Sequence, residues 1–206
     1  MEEFTRFAVE QTRALLFLPP PMPVIWNDQV MHTIQIAQAA SCGASAIVLN
    51  PEVTTEIDAF TKYAFELHME PVVLVKSLQD ADLAIASGAR SLCLHSMGDE
   101  ALIELKNDIF LKHESAADDL VMIAKIRPEE DFPIYHEIDL CWILRDNGFA
   151  AVWPSPESVF GTGFPDIYPN VMAMRAKASR VFLSPRQFLM DRKKEGATEY
   201  LGDILY

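Results

Sequence analysis

Short apolar runs alternate with longer amphipathic stretches along most of this 206-residue chain, and that alternation sets its fold class. Both faces of each run are apolar, as in strands that are covered on both sides of a parallel sheet. Strand–helix units of about 25 residues favour parallel strands joined by right-handed crossovers. The chain is therefore predicted to be an α/β protein. The predicted strands are residues 23–26, 46–49, 71–75, 91–94, 120–126, 150–153 and 180–183.

Glycines mark the ends of three predicted helices, and a predicted strand begins shortly after each of them. These glycines are Gly43, Gly88 and Gly148. Glycine adopts the left-handed backbone conformation that ends a helix and turns the chain back onto the sheet. A further helix is predicted for residues 2–17, before the prolines at 19–21. The predicted apolar helix faces include Ile34, Ala37 and Cys42 in one helix and Ile138, Cys141 and Trp142 in another.

The chain is strongly acidic, with 30 acidic and 17 basic residues and a net charge of −13. Nucleic-acid binding is not predicted, because that affinity comes from cations that neutralise phosphates. The charge is uneven, since residues 175–206 hold seven bases and four acids. This basic end is either a solvated segment or one that docks on an acidic surface of this chain or of a partner.

Three cysteines, Cys42, Cys93 and Cys141, lie far apart among apolar neighbours. They are predicted to be buried free thiols in a reducing compartment, either the cytoplasm or the interior of an organelle. The histidines are scattered, so the sequence predicts neither a metal site nor a cofactor. Prolines interrupt the apolar run 14–26, and no leader pattern precedes it, so neither membrane insertion nor export is expected.

Residues 23–28 read PVIWND, residues 35–36 read QI, and residues 39–49 read AASCGASAIVL. This stretch resembles indole-3-glycerol phosphate synthase, whose P-V-L-R-K-D-F, Y-Q-I and A-x-x-x-G-A-D-A-I-L-L stand at the same spacing. Looser likeness continues to residue 160. The resemblance implies a TIM (β/α)₈-barrel-like region in residues 1–160, with the family's third to eighth strands, and a C-terminal extension in residues 161–206. A complete barrel takes about 250 residues, so an incomplete or modified barrel is expected.

The resemblance also implies that the family's chemistry has been lost. Closing an indole ring by decarboxylation needs a cation to polarise the ketone and a carboxylate to move protons. The family's lysine falls on Asn27 and its glutamate falls on Leu74. Bulky residues at Trp26, Leu74, Met97 and Trp153 are expected to fill the barrel mouth or, if exposed, to form a binding surface. No catalytic residue is predicted, because family positions are also changed at His95, Ser96, Met97 and Ile123.

Two functions remain open. The first is a catalytically inactive, synthase-like barrel that serves as a binding or scaffolding subunit, with a protein partner or a second copy covering its unpaired strand edges. The alternative is a site for an anionic or phosphorylated small molecule at the strand ends, with synthase activity, a carbon–carbon lyase reaction, as the least favoured outcome. Candidate partner-binding residues are Phe182, Arg186, Phe188, Arg192, Tyr200 and Tyr206. Candidate ligand-binding residues are Asp28, Lys76, Lys125, Arg127, Ser155 and Ser158.

Overall fold

The computed structural model describes residues 23–126 and 134–155, in which strands and helices alternate. The strands are β1 (Ile25–Trp26), β2 (Ala46–Leu49), β3 (Glu70–Val75), β4 (Ser91–Leu94), β5 (Val121–Lys125) and β6 (Ala151–Trp153). The α-helices are α1 (Thr33–Ser41), α2 (Ile57–Glu66), α3 (Leu78–Ala86), α4 (Asp99–Lys112) and α5 (Ile134–Asp146), and a 3₁₀ helix covers Glu114–Asp119.

The strands form a sheet in chain order, β1-β2-β3-β4-β5-β6, and the pairs β1–β2, β2–β3 and β3–β4 are parallel. This confirms the predicted α/β class, and six predicted strands match within two residues at each end. The seventh predicted strand, the helix at residues 2–17 and the boundary at residue 160 lie outside the described residues. The chain divides into two compact units between Ile123 and Ala124, inside β5.

The two faces of the first four strands follow from their register. Trp26 pairs with Ile47, which pairs in turn with Pro71, whereas Leu74 pairs with Cys93. Pro71 and Leu74 are three positions apart in β3, so their side chains project from opposite faces of the sheet. Trp26 therefore does not share a face with Leu74. The expectation that both residues fill one barrel mouth is wrong for Trp26, which is 4% exposed on the other face.

Four helix ends in the described residues share one backbone conformation. Gly43, Gly88 and Gly148 have φ values of 86°, 85° and 86°, which confirms the predicted caps. The helix α2 ends in the same way at His68, a non-glycine residue with φ 57°. In each case the next residue donates its N–H to a carbonyl five residues earlier, as Met69 does to Ala64. This closure satisfies carbonyls that a helix end leaves without partners.

The helix faces agree with the sequence pattern in one case and differ in the other. Ile138, Cys141 and Trp142 are buried in α5, as predicted. In α1 the buried residues are Ile36 and Ala39, whereas Ile34 is 62% exposed. Two residues correspond to about 200° of helix rotation, so Ile34 and Ile36 cannot share a face.

All three cysteines are free and buried, as predicted. No helix within residues 23–126 and 134–155 is long and apolar enough to cross a membrane. In that same part of the chain, no group of three or more metal-ligating side chains lies close together.

Candidate functional site

Polar residues follow the last residue of each of the first four strands. Asn27 follows β1, Asn50 follows β2, Lys76 follows β3 and His95 follows β4. The His95 N–H donates to the Val75 carbonyl at 3.1 Å, which extends the β3–β4 ladder by one step. Carboxyl ends of parallel strands meet at one edge of a sheet, where α/β proteins usually place their ligands. This edge of the first unit is the candidate site.

The Lys76 ammonium at this edge is held by an acidic side chain. Its Nζ lies 2.9 and 2.8 Å from the two carboxylate oxygens of Glu52, which comes three residues after β2. The side chains are 37% and 60% exposed, so the ion pair contributes little to stability and a competing anion can reach it. Glu52 was not among the predicted site residues. Its position just after a strand end was the available signal.

Backbone donors next to Lys76 are also satisfied from within the chain. The N–H groups of Lys76 and Ser77 each donate to Asp80 Oδ2 at 3.0 Å. The Ser77 hydroxyl donates to the same oxygen at 2.9 Å and caps α3 by accepting from the Asp80 N–H. Because these N–H groups already have acceptors, an anion that bound at this strand end would be held by the Lys76 side chain rather than by the N-terminus of α3.

The end of β4 brings a hydroxyl and an imidazole together. Ser96 Oγ lies 2.7 Å from His95 Nδ1. Ser96 is exposed and has φ 65°, a left-handed conformation that is uncommon outside glycine, and His95 is half-buried. The resemblance placed these two residues at lost family positions, but it gave no sign that they contact each other.

The loop after β1 holds Asp28 at the surface. The Asp28 carboxylate accepts the N–H of Gln29 at 2.8 Å. A buried hydrogen bond of 2.6 Å from Thr54 Oγ1 to the Val30 carbonyl joins this loop to the one after β2. The predicted ligand residue Asp28 therefore lies at the same edge as Lys76.

In the second unit, the predicted ligand residue Lys125 contacts an aromatic ring. Its Nζ lies 4.7 Å from the centroid of the Trp153 ring, in a cation–π arrangement. The Ile126 N–H donates to the Trp153 carbonyl at 2.9 Å. Ser155, also predicted as a ligand residue, is 1% exposed. Trp153 therefore contacts the predicted ligand residue Lys125 in this unit, and the position of Trp153 in the sequence did not indicate this contact.

The remaining predicted positions divide by exposure. Leu74, at the place of the family's glutamate, is 9% exposed, and Asn27, at the place of the lysine, is exposed. Met97 and Ile123 are half-buried. The positions that lie outside the described residues are Arg127, Ser158, Phe182, Arg186, Phe188, Arg192, Tyr200 and Tyr206.

A charged cluster joins α3 to the end of α4. Lys112 Nζ lies 2.6 Å from Asp82 Oδ2, and His113 Nε2 lies 2.8 Å from Asp82 Oδ1. The hydrogen bond from Lys112, followed by the one from His113, holds the pKa of the Asp82 carboxyl below its ordinary value. Burial lowers the pKa of Lys106 in the same helix α4. The Asp82 cluster links two helices, so we assign it to stability rather than to the site.

Comparison with known proteins places the chain in a broad structural group. No family model matches it. Indole-3-glycerol phosphate synthase from Leptospira interrogans serogroup Icterohaemorrhagiae serovar copenhageni is 35% identical over 77 residues, which is 36% of this chain. That match spans 31% of the synthase, or about a third of its length.

Solved structures agree on the fold. The native KDPGal structure aligns with a TM-score of 0.58 at 16% identity, covering 84% of this chain and 74% of that one. Thiamine phosphate pyrophosphorylase from Pyrococcus furiosus also aligns at 0.58, with 17% identity and coverages of 84% and 73%. Citrate synthase SbnG aligns at 0.52, with 17% identity and coverages of 74% and 71%. These likenesses show a TIM-barrel-type α/β fold.

Proposed function

We propose that this chain is a synthase-like barrel that no longer closes an indole ring and that serves as a binding or scaffolding subunit of a protein complex. The observation that carries the proposal is the burial of Leu74. The resemblance puts the family's proton-transferring glutamate at this position, and here an apolar side chain is 9% exposed. An alkyl group cannot move a proton, so the ring-closing chemistry lacks its carboxylate.

The charged groups near the strand ends give further support. The Lys76 ammonium is paired with Glu52, and the Lys125 ammonium lies over Trp153. The family's lysine position holds Asn27, whose neutral amide is a poor acid. These contacts give the two lysines partners within the chain.

The proposal is tested first by a synthase assay on the purified full-length chain. With carboxyphenylamino-deoxyribulose phosphate as substrate, we expect no indole-glycerol phosphate above the rate without protein. The proposal would be contradicted if the chain formed indole-glycerol phosphate and the Asp28→Asn variant did not, because the activity would then lie at this strand end. Sedimentation velocity then tests assembly. A monomer at micromolar concentration, with no co-purifying protein, would contradict the scaffolding role.

The alternative proposal is a small-molecule site for an anionic or phosphorylated ligand. It is favoured by the exposure of the Lys76–Glu52 pair, whose side chains are 37% and 60% exposed. A phosphate that displaced the Glu52 carboxylate would exchange one exposed ion pair for another at small cost. This proposal concerns the same strand ends and does not require catalysis.

A further inference from the structure

We propose that Ser96 is a nucleophile, activated by His95, that attacks the carbonyl carbon of activated carboxylic esters. This activity goes beyond the proposed function and does not depend on it. The inference rests on three features of the turn between β4 and α4: the contact between the two side chains, the backbone conformation of Ser96, and the exposure of Ser96.

The contact supplies a base for the hydroxyl. Ser96 Oγ lies 2.7 Å from His95 Nδ1, within the distance at which a proton can transfer. In the tautomer that carries its proton on Nε2, Nδ1 accepts the hydrogen of the Ser96 hydroxyl. A serine hydroxyl is a weak nucleophile until an adjacent base takes its proton, and imidazole is the most common such base in enzymes.

The backbone presents the hydroxyl at the surface on a strained turn. Ser96 has φ 65° and lies between the end of β4 at Leu94 and the start of α4 at Asp99. Left-handed backbone at a non-glycine residue costs energy and is found preferentially at functional sites. Serine nucleophiles of other α/β enzymes occupy a strained strand-to-helix turn of this kind. Here the turn keeps Ser96 exposed while His95 remains half-buried.

The turn that carries Ser96 is open to solvent. Gly98 is the residue before α4, and a Cβ atom added there would meet no heavy atom within 4 Å. Ser96 is itself exposed, so an ester in solution can reach its hydroxyl. Ser96 thus has an adjacent base, a backbone conformation that places its hydroxyl at the surface, and a side chain that a substrate can reach.

The reaction requires no reactant other than the ester and water. Ser96 Oγ bonds to the ester carbonyl carbon as its proton moves to His95 Nδ1. The bond between the carbonyl carbon and the alkoxy oxygen then breaks, and Nδ1 returns the proton to the departing alcohol. Water, deprotonated by the same nitrogen, attacks the acyl-serine, releases the carboxylic acid and restores the Ser96 hydroxyl.

Labelling of the full-length chain with a biotinylated fluorophosphonate tests the proposal, with the modified residue located by peptide mass spectrometry. We expect the label on Ser96, and a burst of nitrophenol from p-nitrophenyl butyrate. Ser96→Gly should abolish both, and His95→Gln should lower the labelling rate by about 100-fold or more. Ser96→Gly also relieves the left-handed backbone, so the variant is expected to remain folded, and urea unfolding of both proteins checks this.

Ser41→Ala is the matched control, because Ser41 is exposed but its hydroxyl donates to a backbone carbonyl, that of Gln38, at 2.8 Å. It should label like the unmodified chain. The proposal is overturned if the label spreads over other serines at similar rates, or if Ser96→Gly hydrolyses the ester as fast as the unmodified chain. The synthase assay does not involve this hydroxyl, so its outcome is separable from the labelling result.

Discussion

His68 occupies a backbone position at which three other described helices have glycine. Its φ is 57°, close to the 86°, 85° and 86° of Gly43, Gly88 and Gly148. An L-residue in this conformation brings its Cβ close to the following carbonyl oxygen, at a cost of about 1–2 kcal/mol. The strain is therefore local, and it can be removed by one substitution.

His68→Gly is expected to stabilise the folded chain by about 0.5–1 kcal/mol, because relief of the backbone strain exceeds the added entropy of glycine in the unfolded state. Urea unfolding of the two proteins measures the difference. Gly88→Ala is the opposite control and should destabilise by about 1 kcal/mol. At Gly88 the added Cβ meets no atom within 4 Å, so the loss comes from the backbone conformation. An unchanged or lower stability for His68→Gly would contradict this account.

The helices α3 and α4 are joined by one carboxylate that accepts from two donors. Asp82 belongs to α3, whereas Lys112 ends α4 and His113 follows it. Both donors lower the pKa of Asp82 below its ordinary value of 3.8, with the Lys112 hydrogen bond as the larger cause. A carboxyl whose pKa is lower in the folded than in the unfolded state stabilises the fold at pH values above its unfolded-state pKa. That stabilisation is lost as the pH falls through the folded-state value.

Asp82→Asn is therefore expected to lower stability at pH 7, and the difference from the unmodified chain should shrink as the pH falls below 3.8. Urea unfolding at a series of pH values gives this profile. Asp58→Asn, which removes the exposed pair between Asp58 and Lys62 within one helix, is the matched control. If both variants showed the same profile, the link between α3 and α4 would not be its cause.

Local sequence patterns predicted the strands and the helix ends better than the contacts between distant side chains. The strands and three glycine caps follow from local patterns, since burial on both faces selects apolar runs and a left-handed turn selects glycine. The fourth cap was missed because histidine gives no such signal. Residues 24 or more positions apart form the contacts of Lys76 with Glu52 and of Asp82 with Lys112. Such pairs depend on how the elements pack, which local patterns do not encode.

The whole molecule sets the conditions under which an anion can bind. The chain carries a net charge of −13, so an anionic ligand is repelled at a distance and must gain its affinity from local cations. In the first unit, Lys76 is the candidate cation, and Glu52 competes for it. Lys125 is the candidate of the second unit. Removing Glu52 should therefore strengthen anion binding, whereas removing Lys76 or Lys125 should weaken it.

A thermal-shift titration with ribose 5-phosphate tests the alternative function. At ten times the dissociation constant a ligand stabilises by about 1.4 kcal/mol, or roughly 3–6 °C in Tm for a chain of this size. The shift should fall in Lys76→Ala and Lys125→Ala and rise in Glu52→Gln. It should persist in Lys62→Ala, whose partner Asp58 lies in the same helix. A shift that is absent, or equal in all variants, would remove the support for this site.

The burial of Leu74 also limits which side chains can stand at this position. A carboxylate placed at a position that is 9% exposed would lose most of its hydration, and unless a cation paired with it, it would destabilise the fold or become protonated. An acidic side chain could be accommodated here only if a cation stood within reach of it. Position 74 therefore favours an apolar side chain.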